Sequence, residues 1–293
     1  MSKHPLVARI YAAYEAAEAA EAPRAYLGAS SIGEECERKL WYRFRGLERA
    51  EFPGRILRMF QHGHMEEARV VANLRATGLA VYHAGEKQAR LSAFSGLFAG
   101  HPDGVVFEDE FGEGDGVLLE VKTANKRRWE ELQKKGVQKA RPLHYAQMQA
   151  YMGMLQASDE YPSAFTALYV CVCKNDERMY AEEVEFIPQV FEDIGQRARR
   201  ILEAEEPPER VAASPSDTAG NRNCTYCDSC RVCWEGHAPA RVCGGCANFQ
   251  IDVDAGTRTC MLSDTPTEQH SSCDEFELLD ALSGPALEWP VMF

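Results

Sequence analysis

The sequence predicts an α/β fold: a mixed central sheet flanked by helices, followed by a small C-terminal cysteine-rich metal-binding module. Three observations lead there. Helical patterns at 5–22 and 55–76 precede a cluster of short apolar strands between 80 and 122. Two more helical patterns, 126–135 and 143–156, then precede a strand pair (166–173 and 179–186) and a helix at 189–205. Helices, strands, helices and strands in that order suit a mixed sheet with helices packed on it. Finally, eight of the eleven cysteines crowd between Cys224 and Cys273, behind an acidic, Pro-rich connector at 203–222.

Taken in order, residues 5–22 are rich in Ala and Glu, good intrinsic helix formers, so 1–25 is read as an N-terminal helix. Ser31 and Glu34 have capping-box spacing, which predicts a helix opening there and running through Cys36, Leu40 and Trp41. The helix at 55–76 carries His62, Gly63, His64, Glu66 and Glu67. Strands are expected at 80–83, 87–94, 97–107 and 117–122, the last two joined as a hairpin by the Gly-rich acidic loop 108–116. In the helix at 143–156, Tyr145, Met148, Tyr151, Met152 and Leu155 form an apolar stripe that would pack on the sheet. Cys171 and Cys173 alternate with Val170 and Val172 on a strand and read as packing residues.

With 293 residues, the chain is long enough for one sizeable α/β domain and a smaller appendage. No apolar run approaches a membrane span and nothing resembles a signal peptide, so the expectation is a soluble, cytoplasmic protein with no membrane partner. A net charge of −13 argues against a protein that coats nucleic acid indiscriminately. The charge is uneven, however. Residues 121–141 hold eight Lys or Arg against two Glu, a basic stripe suited to a polyanion met locally, or simply a solvated helix face.

The chemistry concentrates between His101 and Tyr151. Glu120 and Lys122 are two apart on an apolar strand and therefore leave the same face. The hairpin brings Asp103, just before the preceding strand, alongside Glu120. Two carboxylates and a lysine are costly to bury together unless a metal neutralises the acids.

Asp103 followed by Glu120-Val121-Lys122 resembles the motif of the PD-(D/E)XK nucleases. Gln147 and Tyr151 match the Q-x-x-x-Y signature of their RecB-like branch, and Gly63, His64 and Glu67 match its upstream motif. The resemblance covers roughly residues 30–235. It implies a restriction-endonuclease-like core over 26–235 and a metal-dependent DNA exonuclease acting on DNA ends or single strands. The setting would be recombination, repair or phage and mobile-element DNA processing, with a recombination, annealing or helicase protein as a possible partner. Mg²⁺ or Mn²⁺ would be held by Asp103, Glu120 and the Val121 carbonyl, with His64 and Glu67 as further ligands; Glu66 and His62 are the competing pair. Lys122 would orient the attacking water, and Gln147 and Tyr151 would face the active site. Lys126, Arg127 and Arg128 could grip the DNA backbone while Trp129 stacks a base. A nucleic-acid-binding adaptor that kept the fold without catalysis is the alternative; an iron–sulfur redox protein is a weaker third.

Cys36 far upstream, with Cys224, Cys227 and Cys233, resembles the split four-cysteine set of iron–sulfur nucleases such as the CRISPR-adaptation nucleases and the AddB nuclease domain. It implies a [4Fe-4S] cluster that staples the two ends of the core. Cys230 leaves a purely local site from Cys224, Cys227, Cys230 and Cys233 open. A second set, Cys243, Cys246, Cys260 and Cys273, occupies a segment (236–280) with few large hydrophobes. There a metal would supply folding energy, zinc first and a second iron–sulfur cluster next. This segment could touch DNA or a partner, or act as a stabilising cap. The apolar tail 281–293 could dock on the core or on another protein.

Overall fold

The computed structural model describes residues 4–49, 51–108, 116–216, 224 and 226–282. In chain order it runs α1 (Pro5–Ala20), β1 (Leu27–Gly28), α2 (Glu37–Phe44), α3 (Gly54–Ala76), β2 (Ala80–Tyr82), β3 (Leu91–Ala93), β4 (Phe98–Gly100) and β5 (Gly104–Phe107). There follow β6 (Gly116–Ala124), α4 (Lys126–Ala140), α5 (Pro142–Gln156), β7 (Ala164–Cys173), β8 (Met179–Glu185) and α6 (Pro188–Glu203). The chain continues through α7 (Cys230–Trp234), β9 (Phe249–Asp252), β10 (Thr257–Cys260) and β11 (Thr265–Pro266). Residues 283–293, and with them nearly all of the apolar tail, lie outside the described residues. Among those described, no helix is long and apolar enough to cross a membrane.

The central sheet has the order β2-β5-β6-β7-β8. Only β6 and β7 are parallel, because α4 and α5 form the crossover between them. The sheet is therefore mixed, as expected. Its two faces bury separate cores. Val117, Leu119 and Val121 of β6 pack toward Val70 and Val71 of α3, while Leu118 packs with Met148, Tyr151 and Leu155 of α5. This alternation sends Glu120 and Lys122 toward α5.

Several local expectations are corrected. The α2 helix is not opened by Ser31, whose hydroxyl instead bonds the Gly28 carbonyl (2.9 Å) inside a short 3₁₀ turn. Its cap is Cys36, whose Sγ accepts from the Lys39 amide at 3.4 Å. The strand expected over 97–107 is two strands, β4 and β5, which belong to different sheets, broken by His101-Pro102-Asp103. The strand expected over 87–94 shrinks to β3. Helix α5 has no exposed face opposite a stripe: residues 147–155 are all buried, because α4, α6, β3 and β7 surround it. Cys171 and Cys173 are core residues, 1% and 0% exposed.

α1 lies against α3 and supplies its missing cap. Glu15 Oε1 accepts from the Gly54 amide at 2.7 Å, one of the donors a helix start leaves unpaired. Beyond α7 the small sheet β11-β10-β9 forms a separate layer, fastened to the body by Arg45. That side chain is 4% exposed; it donates to the Gly244 and Ala204 carbonyls (3.1 and 2.9 Å) and stacks on Trp41 and Phe249. The two segments approach so closely that a Cβ at Gly244 would overlap the Arg45 carbonyl.

Candidate active site

The β5–β6 hairpin pairs Gly104 with Leu119, which sets Asp103 at the open end of the pair. Asp103 Oδ2 accepts from the Val121 amide at 2.7 Å. Glu120 is fully buried; its Oε1 is bonded by the Lys122 ammonium, and its Oε2 is buried with no partner. An orphaned carboxylate oxygen in the interior costs free energy unless something neutralises it.

Electrostatics tell the same story. Burial raises the Glu120 carboxyl well above its ordinary range, against the opposing pull of Lys122, and Asp103 and Glu67 add to the rise. Burial likewise raises Asp103, opposed by Lys122, the Val121 amide and His64. Glu67 is pushed up to about 7, first by burial and then by Asp103. Burial works against the charge on Lys122, but Glu120 and Asp103 outweigh it and hold the ammonium above its usual range. Three acids and one lysine thus feel one another at the floor of one site.

Above this floor opens a cleft of about 920 Å³. His64, Glu67, Asp103, Val121, Lys122, Gln147 and Tyr151 all line it, and the buried Glu120 is bonded to Lys122 of that lining. Glu66 points elsewhere, buried and paired with Arg69 at 3.2 Å, so α3 presents His64 and Glu67. Gln147 Nε2 donates to Tyr151 Oη at 3.4 Å. Of the residues expected to grip DNA, Arg128 lines the cleft, whereas Lys126 and Arg127 are exposed outside its lining. Trp129 cannot stack a base. It is 2% exposed, its indole donates to the Cys171 carbonyl at 3.1 Å, and Arg178 covers its ring.

Other groups at the cleft escaped sequence reasoning. Gln88 Nε2 donates to Glu67 Oε1 at 2.9 Å and so orients that acid. Arg24, Arg75 and Lys174 join Arg128 in a basic rim. Lys174 alone had a usable signal: it follows β7, whose parallel pairing with β6 delivers both strand ends to one place.

Glycine 100 shapes the site from behind. A Cβ there would sit 2.6 Å from Tyr151 Oη, so Gly100→Ala is expected to displace Tyr151 and cost about 1–3 kcal/mol, read by urea unfolding.

Hard oxygen donors around an orphaned carboxylate fit a divalent cation such as Mg²⁺ or Mn²⁺. Among the described residues, no group of three or more His, Cys, Asp or Glu side chains is drawn closely enough together to hold a metal ion; Lys122 takes up one Glu120 oxygen instead. The raised acids also set a pH dependence. Because the fold binds protons that the unfolded chain releases, Glu67, Glu120 and Asp103 cost stability as pH rises from the ordinary carboxylate range through their raised values. The thermal stabilisation by Mn²⁺ is therefore expected to grow between about pH 5.5 and about pH 8, measured as the shift in Tm on adding the ion.

The cysteines gather in two places. Cys36 is within electrostatic reach of Cys233 and Cys224, and Cys227 is within reach of Cys36. Cys230 instead feels Cys224 and Cys233. Burial raises the Cys36 and Cys230 thiols, and Cys227 to about 11. Ion pairs to Asp228 join the two segments, from Arg43 at 2.6 Å and from Lys39 at 4.0 Å.

A sequence profile of the PD-(D/E)XK nuclease superfamily matches residues 4–234. No curated protein matches this chain. Among solved structures, SSO0001 is similar at 13% identity, covering 79% of this chain and 98% of that one with a TM-score of 0.46. An alkaline exonuclease from Laribacter hongkongensis is similar at 19% identity, covering 65% and 90%, with a TM-score of 0.45. The same exonuclease in complex with dAMP gives 19%, 67%, 90% and 0.44. These structural likenesses are too distant to bear on function. The profile, by contrast, spans most of the chain and takes in every acid of the cleft: the chain belongs to the PD-(D/E)XK nuclease superfamily.

Proposed function

We propose that this protein is a metal-dependent deoxyribonuclease, an exonuclease that hydrolyses phosphodiester bonds at DNA ends or in single strands. The observation that carries this is the desolvated Glu120, with one oxygen orphaned, beside Asp103 and Lys122 at the floor of a basic-rimmed cleft. Asp103, Glu120, Glu67, the Val121 carbonyl and His64 are the donors that would hold Mg²⁺ or Mn²⁺. When bound, the ion supplies positive charge to the scissile phosphate and makes water more acidic.

The protein's own groups do the rest. Lys122, released from Glu120, orients the attacking water and stabilises the negative charge that develops as the new P–O bond forms and the old ester bond breaks. Gln88 holds Glu67, and Tyr151 with Gln147 closes the wall beside Lys122. Arg24, Arg75, Arg128 and Lys174 neutralise phosphates along the strand. The end-directed reading is supported by the resemblance of Gln147 and Tyr151 to the RecB-like signature. Its setting is recombination, repair or mobile-element DNA processing, with an annealing or helicase protein as partner.

Cys36, Cys224, Cys227 and Cys233 are the proposed ligands of a [4Fe-4S] cluster. These cysteines, within electrostatic reach of one another across the two ends of the core, would supply the sulfur donors that such a cluster takes as thiolates. Anaerobically purified protein is expected to show the broad visible absorption of such a cluster, and Cys36→Ala to lose it; full retention in that variant would point to Cys230 as the fourth ligand.

The activity is tested on end-labelled linear DNA and a covalently closed circle in Mg²⁺. The linear DNA is expected to shorten while the circle survives, and chelation of the metal to stop digestion. Wild-type protein inert on linear, nicked and single-stranded DNA with both Mg²⁺ and Mn²⁺ rejects the reading.

A further inference from the structure

We propose that Cys243, Cys246, Cys260 and Cys273 bind one zinc ion, and that this ion holds in place the wall of the cleft that carries Arg24 and Tyr26. The thiols come from one close pair, Cys243 and Cys246, and from two positions further along the sequence, yet all four line a single cavity of about 200 Å³ in the C-terminal module. None is in a disulfide.

The backbone around them is arranged for sulfur ligands. Between Cys243 and Cys246 the chain makes a 3₁₀ turn, closed by the Cys246 amide on the Cys243 carbonyl at 2.9 Å. Cys260 ends β10, and its Sγ receives hydrogen bonds from the Leu262 and Ser263 backbone and from the Ser263 side chain. Thr267 Oγ1 donates to Cys243 Sγ at 3.6 Å. Donors aimed at sulfur hold a thiolate in position for a metal.

Energetics point the same way. Across 236–282 the buried apolar residues are Cys246, Phe249 and Val253, while Met261 and Leu262 stand 55% and 56% exposed. So small a core does not offset the chain entropy of some forty ordered residues. Zinc–thiolate bonds supply that free energy in modules of this size. The thiols line the cavity without closing on one point, so binding requires them to rotate inward, Cys273 most of all because it is exposed. Four sulfur donors suit a tetrahedral zinc site.

The link to the cleft is direct. His270, in the loop between Cys260 and Cys273, donates from Nε2 to the Arg24 carbonyl at 2.9 Å. Arg258, two residues before Cys260, donates to the Ala25 carbonyl. Arg24 and Tyr26 line the cleft. An ion that pins Cys260 and Cys273 therefore pins both contacts to residues 24–25. This part rests on the nuclease reading; the zinc site itself does not.

The test uses the full chain grown with added zinc. About one zinc per chain is expected, lost in Cys243→Ser/Cys246→Ser and retained in Cys227→Ser/Cys233→Ser. DNA affinity, measured with Ca²⁺ in place of Mg²⁺, is expected to fall about tenfold in the first double variant, as in Arg24→Ala. Absence of zinc from wild type, zinc retained in the first variant, or iron lost there in its place overturns the site. Zinc lost with DNA affinity unchanged overturns the link to the cleft wall. Should the double variant fail to fold, metal-stripped wild type is titrated with Co²⁺: the intense visible bands of a tetrahedral thiolate complex are expected, and a weak octahedral spectrum contradicts the proposal. Zinc counts and Co²⁺ spectra are read without DNA, so they stand apart from any failure of the nuclease reading.

Discussion

Lys122→Ala is expected to lower the rate of Mg²⁺-dependent DNA hydrolysis by about 10²–10⁴-fold, with little change in DNA affinity. Among the described residues Lys122 is the cation bonded to Glu120, and in the proposed mechanism its removal takes away charge stabilisation needed most in the transition state. Single-turnover rates at saturating protein separate this loss from weaker binding. Lys122→Arg is expected not to restore the rate, since a planar guanidinium does not fill the place of a compact ammonium. A variant within a few-fold of wild type would remove Lys122 from the chemistry.

Arg45→Ala is expected to carry the largest stability loss, about 3–5 kcal/mol, measured by urea unfolding. Burial lowers the Arg45 pKa to about 10, so it is still charged at neutral pH inside the protein. The alanine leaves the Gly244 and Ala204 carbonyls without their donor and opens a void between Trp41 and Phe249. Arg45→Lys is expected to recover only part of the loss, because one ammonium does not reproduce both hydrogen bonds and the stacking. An Arg45→Ala protein as stable as wild type would mean that the module contributes nothing to the body.

The site was legible where chemistry and local periodicity coincide. Alternation over 117–122 and the Gly-rich loop before it sufficed to place Asp103, Glu120 and Lys122 together, because strand geometry and a hairpin leave few other arrangements. The i, i+4 spacing put Gln147 and Tyr151 on one helical face for the same reason. His64 and Glu67 are preferred for their three-residue spacing and their match to the upstream motif, and the packing of α3 turns the competing Glu66 to Arg69 and leaves His62 out of the cleft lining.

Misreadings came where a local pattern has two physical outcomes. Ser31 and Glu34 imitate a capping box, but a 3₁₀ turn takes up the serine hydroxyl, and a cysteine sulfur caps α2 instead. Trp129 sits among basic residues, yet with Leu132 it forms the buried side of α4, a periodicity that outweighs its neighbours' charge. Arg128 was legible in the basic block, but the rest of the basic rim was not, because Arg24, Arg75 and Lys174 meet it only through the tertiary fold. The same is true of Arg45 and Gly244, two residues that say nothing separately.

That Asp103 and Glu120 jointly hold one catalytic cation is tested most directly by calorimetric titration with Mn²⁺. Wild type and Lys122→Ala are expected to bind the ion at this site, whereas Asp103→Asn and Glu120→Gln lose it together with the rise in Tm that Mn²⁺ confers. Binding by Asp103→Asn and Glu120→Gln indistinguishable from wild type would contradict the site.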